Sequence, residues 1–284
     1  MTQVKFTKMQ GAGNDFILME YGEYKKIEDK FPDIAVKLCD RHFGIGADGI
    51  FVPVENPKTY SDLEWLFYQA DGSTAQMCGN GMRCFARFCF DKKIVNKRKF
   101  TVHTGAGKIV PEVLEDLRVK VNMGKPILEP EKIPFKGSKN LNYPLWDGVK
   151  KFTVNAVSMG NPHCVIFVKD DEDNHALAKK YGDAIEHDNL FPEKTNVEFV
   201  KVISREEIDV AVWERGCGIT LACGTGACAS VVAAILNGLC DNKVKVNLPG
   251  GSLTIEWAGN SQNTDFDVLM TGEAQYVYTG IIEI

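Results

Sequence analysis

One short stretch occurs twice in this chain, and it constrains the fold more than any other feature. Cys78-Gly79-Asn80-Gly81 is followed by a largely apolar run from Met82 to Phe88, and Cys223-Gly224-Thr225-Gly226 by one from Ala227 to Leu236. Each run lacks proline, is long enough for a helix and follows a natural start signal. The sequence therefore predicts each cysteine at a helix N-terminus, where backbone N–H groups are unpaired and the helix dipole is positive. Both features favour the thiolate, the reactive form of cysteine. Two such cysteines in matching contexts predict a paired site.

The match reaches beyond the tetrapeptides. Gly11-Ala12-Gly13-Asn14 precedes the apolar Phe16-Ile17-Leu18, and Gly160-Asn161-Pro162-His163 precedes Cys164-Val165-Ile166-Phe167. Both read as a Gly-Asn turn entering a strand. The intervals are nearly equal: 64 residues from Asn14 to Cys78 and 62 from Asn161 to Cys223. Asp71-Gly72 in the first half answers Arg215-Gly216 in the second. Three matches in one order predict an internal duplication, with two domains on one plan.

Length agrees, since 284 residues suggest about two domains. A net charge of −5 gives no reason to expect nucleic acid or an anionic membrane as partner. No apolar run is long enough to span a bilayer. The first residues show no signal core or transit character, so a cytoplasmic location is expected. Nine cysteines, none in a Cys-x-x-Cys pair, are expected to be mostly free thiols there, with Cys84, Cys89, Cys164 and Cys228 serving as small packing residues.

In the first half, strands are expected at 4–9, 16–20, 50–54, 63–70, 100–103, 108–114 and 117–122, with helices at 27–39 and after Cys78. Gly44-Ile45-Gly46-Ala47-Asp48-Gly49 matches the dinucleotide fingerprint formally. That fingerprint needs a strand before it and a helix after it. Here the order is reversed, so a glycine-rich helix-to-strand connection is expected instead. Four prolines between Gly124 and Val149 mark a linker. The second half repeats the order, with strands at 152–159, 164–168, 196–202, 208–212, 243–248, 252–257 and 266–270 and helices at 176–185 and after Cys223. Helices are too few for a doubly wound parallel sheet. The expected class is α/β of the α+β type: two pseudo-symmetric domains, each a curved, mostly antiparallel sheet wrapped around a central helix. The expected domains are residues 1–124, joined by the last strand at 274–284, and residues 125–273.

At these residues the chain resembles the cofactor-independent diaminopimelate epimerases. The resemblance covers the whole length. It rests on Gly13-Asn14-Asp15-Phe16, the Gly44 to Gly49 stretch, the block from Asp71-Gly72 to Arg83-Cys84, Gly160-Asn161-Pro162-His163, Thr195-Asn196-Val197-Glu198-Phe199, and Glu214-Arg215-Gly216 through Gly226. The resemblance implies a site in the cleft between two domains, a homodimer, and interconversion of LL- and meso-diaminopimelate in lysine and peptidoglycan precursor biosynthesis.

The chemistry asks for such a pair of thiols. Inverting an α-carbon requires a proton to leave one face and another to arrive on the opposite face. One thiolate and one thiol do this without a base crossing the substrate. Cys78 and Cys223 fit these roles. The carbanion beside a carboxylate needs charge stabilisation, which two helix N-termini supply through Gly79-Asn80 and Gly224-Thr225. No pyridoxal-binding signature is present, and no cofactor is expected. From the family come the remaining site residues. Asn14, Asn161, Asn196 and Arg215 match the polar set around the distal amino-acid end, Glu214 would hold an ammonium, and His163 lies near it. Two positions depart from the pattern: Gln69 stands where Asn is common, and Gly49, where Gln is common, cannot make that contact.

The shared six- and five-residue intervals of Cys78, Cys84, Cys89 and Cys217, Cys223, Cys228 fit no common zinc pattern, and no metal is expected. Two alternatives stand beside the epimerase: a proline racemase-like or other amino-acid racemase, and a redox dithiol or small-molecule binding protein. Arg215 and the asparagine set argue against a substrate without a distal amino-acid group.

Overall fold

The computed structural model describes residues 2–55, 59–74 and 77–284; Ala75 and Gln76, within the block that carries the family resemblance, lie outside them. Contacts divide the chain into two units, residues 1–122 with 271–284, and residues 123–270.

The first unit opens with an antiparallel hairpin, β1 (Gln3–Gly11) and β2 (Asn14–Leu18). Its turn places Ala12 and Gly13 at φ 55° and 90°. A short helix α1 (Tyr21–Tyr24) and helix α2 (Phe31–Cys39) lead through the Gly44 to Gly49 connection into β3 (Gly49–Glu55), parallel to β2. The fingerprint match is thus a helix-to-strand link, as its flanks predict. β4 (Leu63–Gln69) returns antiparallel to β3, and α3 (Gly79–Asp91) follows. β5 (Val102–Thr104) lies parallel to β4, then come β6 (Gly107–Ile109) and the hairpin of β7 (Pro111–Val113) and β8 (Val119–Asn122). The chain's last strand, Gln275–Glu283, pairs with β1 and forms the sheet's edge. Helix α3 packs on β1, β2, β3 and the β7–β8 hairpin, burying Met82, Cys84, Phe85, Phe88 and Cys89.

The second unit contains β9 (Tyr143–Trp146), β10 (Lys151–Ser158), β11 (Pro162–Phe167), α4 (Asn174–Glu186), β12 (Asn196–Ser204), β13 (Glu207–Glu214), β14 (Gly218–Ile219), α5 (Gly224–Leu236), β15 (Lys243–Leu248), β16 (Gly251–Trp257) and β17 (Val268–Gly272). The strands run β17-β16-β15-β13-β12-β11-β10-β9, with β14 beside β13. Every residue of α5 from Gly226 to Ala234 is buried, which is how a helix apolar on all sides must sit.

The duplication is visible in this order. Hairpin, helix, parallel strand, antiparallel strand and cysteine-capped helix occur as β1-β2-α2-β3-β4-α3 and again as β10-β11-α4-β12-β13-α5. It holds residue by residue. Phe16 pairs with Gly49, and His163, likewise two residues after its turn asparagine, pairs with Asn196. Two residues further along β3 and β12 stand Phe51 and Glu198. Phe16 and Phe51 meet edge to face, their centroids 5.1 Å apart. His163 and Glu198 hold the same two places in the second unit.

Three element predictions need correction. The helix expected from Ile27 begins at Phe31, preceded by a 3₁₀ turn at Glu28–Lys30, with Pro32 near its start where a missing N–H costs nothing. The strand expected at 108–114 is two, β6 and β7. The expected linker contains β9, which carries Pro144 because it is an edge strand. Among the described residues no helix is long and apolar enough to cross a membrane.

Candidate active site

Cys78 and Cys223 are the N-cap residues of α3 and α5. Both have extended backbones, and in both the sulfur accepts from the N–H of the motif's second glycine: Gly81 at 3.3 Å and Gly226 at 3.4 Å. That glycine is demanded by what packs beneath the first helical turn. A Cβ on Gly81 would lie 2.3 Å from Phe51 Cζ, and one on Gly226 would lie 2.6 Å from Glu198 Oε1. Cys84, Cys89, Cys164 and Cys228 are fully buried, as expected of packing residues, and all nine cysteines are free.

The turn asparagine reaches the helix start in each unit. Asn80 Nδ2 donates to Asn14 Oδ1 at 2.6 Å, and Asn161 Nδ2 donates to Thr225 Oγ1 at 3.3 Å. Asn14 Nδ2 in turn donates to Asp48 Oδ2 at 2.9 Å, an acceptor that Arg41 also holds through the other oxygen. Buried Arg83 donates through Nη1 to Asn80 Oδ1 at 2.8 Å and through Nε to the Glu273 carbonyl. These bonds fix the amides of Asn14 and Asn80. Gln69, by contrast, is exposed at the end of β4 and donates to Ser73 Oγ. Its register partner is Gly49, where a Cβ would fall 2.6 Å from the Phe67 ring and 2.7 Å from the Tyr68 carbonyl. Position 49 has no room for a side chain, so a contact from there is excluded on steric grounds.

The second unit gathers His163, Asn161, Asn196, Glu198, Glu214, Thr225 and Cys223. His163 is fully buried, with Nδ1 2.7 Å from Glu198 Oε1 and Nε2 3.1 Å from Asn161 Oδ1. Cys223 Sγ lies 3.4 Å from Thr225 Oγ1. Asn196 Oδ1 accepts from the Arg215 N–H at 3.0 Å and its Nδ2 donates to the Pro162 carbonyl. The exposed Arg215 guanidinium donates to the Glu193 carbonyl. Glu214 accepts from Thr220 Oγ1 at 2.5 Å. Burial raises its carboxyl above the usual range; the Thr220 bond opposes this and the Glu198 charge adds to it.

The thiolate expectation needs correction at Cys223. Burial, then the Glu214 and Glu198 carboxylates, push this thiol well above the ordinary cysteine range, against the weaker pull of Thr225 and the Gly226 N–H. At Cys223 the pull of the helix N-terminus is present but is outweighed by burial and by two carboxylates. The balance favours the protonated thiol at Cys223.

Asp48 and Glu198 lie in motifs that the sequence reading singles out, yet neither receives a role there. Superposing the two repeats would have found Glu198, because it sets a carboxylate where the first repeat has Phe51. Among the described residues one group could be considered for a metal, Asp183, Glu186 and His187 at the end of α4. Glu186 already accepts from Trp213 Nε1 at 2.7 Å and from the Gly216 N–H, which is a structural task.

Comparison with known proteins agrees with this geometry. The family model described as diaminopimelate epimerase matches residues 6–129 and 155–277. The diaminopimelate epimerase of Halothermothrix orenii is 47% identical, with 99% of each chain covered. That of Desulforapulum autotrophicum is 45% identical over 99% of this chain and 100% of its own. Among solved structures, a PhzF-family phenazine biosynthesis protein from Bacillus anthracis superposes with a TM-score of 0.70 at 14% identity, covering 100% of both chains. A hydroxyproline epimerase from Agrobacterium vitis does so at 0.66 and 9%, covering 99% of this chain and 92% of its own. At such identities these two speak for the fold alone. The duplicated fold, the two capping cysteines and full-length relatives of this similarity agree, and the chain belongs to the diaminopimelate epimerase family.

Proposed function

We propose that the chain interconverts LL- and meso-2,6-diaminopimelate by abstracting the α-proton with one cysteine and reprotonating the opposite face with the other. The carrying observation is that Cys78 and Cys223 cap equivalent helices with equivalent sulfur contacts, one in each repeat. One cysteine serves as base and the other as acid, and the roles exchange with the direction of reaction; the raised thiol of Cys223 suits the acid role. The N–H groups of Gly79-Asn80 and Gly224-Thr225 receive the α-carboxylate as charge develops beside it. His163 and Glu214 support the proton transfers. Asn14, Asn161, Asn196 and Arg215 bind the distal amino-acid end, Arg215 through its guanidinium. Gln69 is the weakest member of this set, being exposed and bonded to Ser73.

Incubation with LL-diaminopimelate in deuterated water tests the reading. Meso product should appear with α-deuterium incorporated at the inverted centre. Exchange without inversion, or neither, would overturn it. The racemase and redox alternatives are not favoured, since the family model and the full-length relatives are epimerases of one substrate. A homodimer is supported by the edge strand Gln275–Glu283, which exposes Tyr276, Val277, Tyr278 and Ile281 where a second copy would cover them. Nine free cysteines suit the reducing cytoplasm.

A further inference from the structure

The two repeats disagree at one pair of positions. In the first unit Phe16 on β2 meets Phe51 on β3, and the Phe51 ring fills the space beneath the first turn of α3. In the second unit the same positions on β11 and β12 hold His163 and Glu198, and the Glu198 carboxylate lies beneath the first turn of α5. Both polar side chains are wholly buried. The fold itself does not call for them, because the first repeat builds the same corner from two aromatic rings. A buried ionisable pair in such a place adds little stability compared with apolar packing. Its presence beneath the first turn of α5 points to the chemistry there.

The contacts say what the pair does. Glu198 Oε1 is 2.7 Å from His163 Nδ1, a distance that requires a proton between them. That contact turns the other ring nitrogen, Nε2, toward Asn161 Oδ1 at 3.1 Å. Asn161 then donates to Thr225 Oγ1, and Thr225 Oγ1 lies 3.4 Å from Cys223 Sγ. One continuous chain runs from Glu198 to the sulfur. Glu198 Oε2 has no hydrogen-bond partner among the described residues. Among the described residues the carboxylate is therefore held by His163 and by the positive end of α5.

We propose that Glu198 is a positioning residue for the proton transfer at Cys223: it fixes the His163 ring through Nδ1 and, by way of Asn161 and Thr225, holds the sulfur in line with the α-carbon. This rests on the epimerase reading above. Glu198 touches no substrate in this scheme. Its carboxylate also adds to the field that keeps Cys223 protonated until the carbanion forms.

Glu198→Gln tests this while keeping size and one oxygen acceptor. The variant should lower kcat about tenfold or more with KM within about twofold, because substrate contacts are untouched and only the transition state suffers. Glu198→Ala should lower kcat further, and the order Glu, Gln, Ala should hold at a temperature where circular dichroism shows all three folded. A second readout does not use activity. Nitrogen-15 spectra of the histidine rings should show a protonated, strongly hydrogen-bonded Nδ1 at His163 in the wild type, with that signal weakened or lost in Glu198→Gln. Wild-type kcat in Glu198→Gln, a loss confined to KM, or absence of the Nδ1 proton signal from the wild type would each overturn the proposal. If the wild type itself failed to epimerise diaminopimelate, the functional reading would fall, and the ring spectra would still decide whether Glu198 positions His163.

Discussion

Asn80 donates its side-chain amide to Asn14 Oδ1 at 2.6 Å, tying the start of α3 to the turn that opens β2. The bond is the first unit's version of Asn161 to Thr225, and it is the better built of the two. Asn80 is buried, and Arg83 holds its oxygen while Asp48 takes the amide of Asn14. Asn80→Ala strips a donor from Asn14 and an acceptor from a buried guanidinium. A stability loss of about 1–3 kcal/mol is expected from the unsatisfied groups. Urea denaturation measures it. On the proposed function activity should fall as well, because the freed Asn14 amide loses the orientation that Asn80 gives it. A variant with wild-type stability and turnover would show that this network positions nothing.

The cysteines separate by environment. On the proposed mechanism Cys78→Ala and Cys223→Ala should each abolish epimerisation, since losing a general acid or base costs about 10²–10⁴-fold. Both variants should stay folded, because the bond from each helix start to its sulfur is long, 3.3 Å from Gly81 and 3.4 Å from Gly226. Cys84→Ala should keep most activity, because Cys84 is buried in α3 with its thiol pushed up to about 12 by desolvation. Turnover followed beside thermal melting distinguishes the three.

The elevated Cys223 thiol gives a pH dependence of definite sign. Its folded pKa lies above its unfolded value, so the protonated form contributes stability below the unfolded pKa of about 8.5, and this is lost as pH rises toward the folded value. Cys89 and Cys164, also raised well above the ordinary range by burial, act in the same direction. The melting temperature should therefore fall as pH rises from about 8 to about 10. Alkylation of Cys223 by iodoacetamide, followed by peptide mapping, should reach half its maximal rate only above about pH 9. Glu214→Gln removes one of the two facing carboxylates and should move that midpoint down. A midpoint near neutrality would mean that the helix N-terminus outweighs burial after all.

Much of this was legible from the residues. Cys-Gly-x-Gly before an apolar run, and Gly-Asn before a strand, are local signals, and their repetition carried the architecture. What the sequence hid was of two kinds. β9 was obscured by Pro144 and by polar neighbours, since a solvent-facing edge strand needs no apolar alternation. Glu198 was obscured because a glutamate in a strand normally faces water. Its burial shows once the two repeats are superposed, for it stands in the place that Phe51 holds in the first. The charge of Cys223 was misread for a related reason: the helix start can be seen in sequence, but the carboxylates of Glu214 and Glu198 are brought to it by tertiary packing.

The second glycine of each motif offers the sharpest test of packing. Gly81 lies in the first turn of α3, where replacing glycine by alanine would ordinarily stabilise a helix by about 0.5–1 kcal/mol. Here the new Cβ would meet Phe51 Cζ at 2.3 Å and Cε2 at 2.6 Å. The ring cannot step aside cheaply: it stacks on Phe67 with centroids 4.2 Å apart and leans on Trp65 at 4.9 Å. Gly81→Ala should therefore destabilise the protein by about 1–3 kcal/mol, the usual cost of overpacking. Phe51→Ala alone opens a cavity and should cost about 3–5 kcal/mol. Together they should cost less than their sum, because the smaller residue at 51 makes room for the added methyl. A coupling of about 1 kcal/mol or more in chemical denaturation is expected. Simple additivity, or a stabilised Gly81→Ala single variant, would show that the close approach of helix and sheet beside Cys78 does not require the glycine.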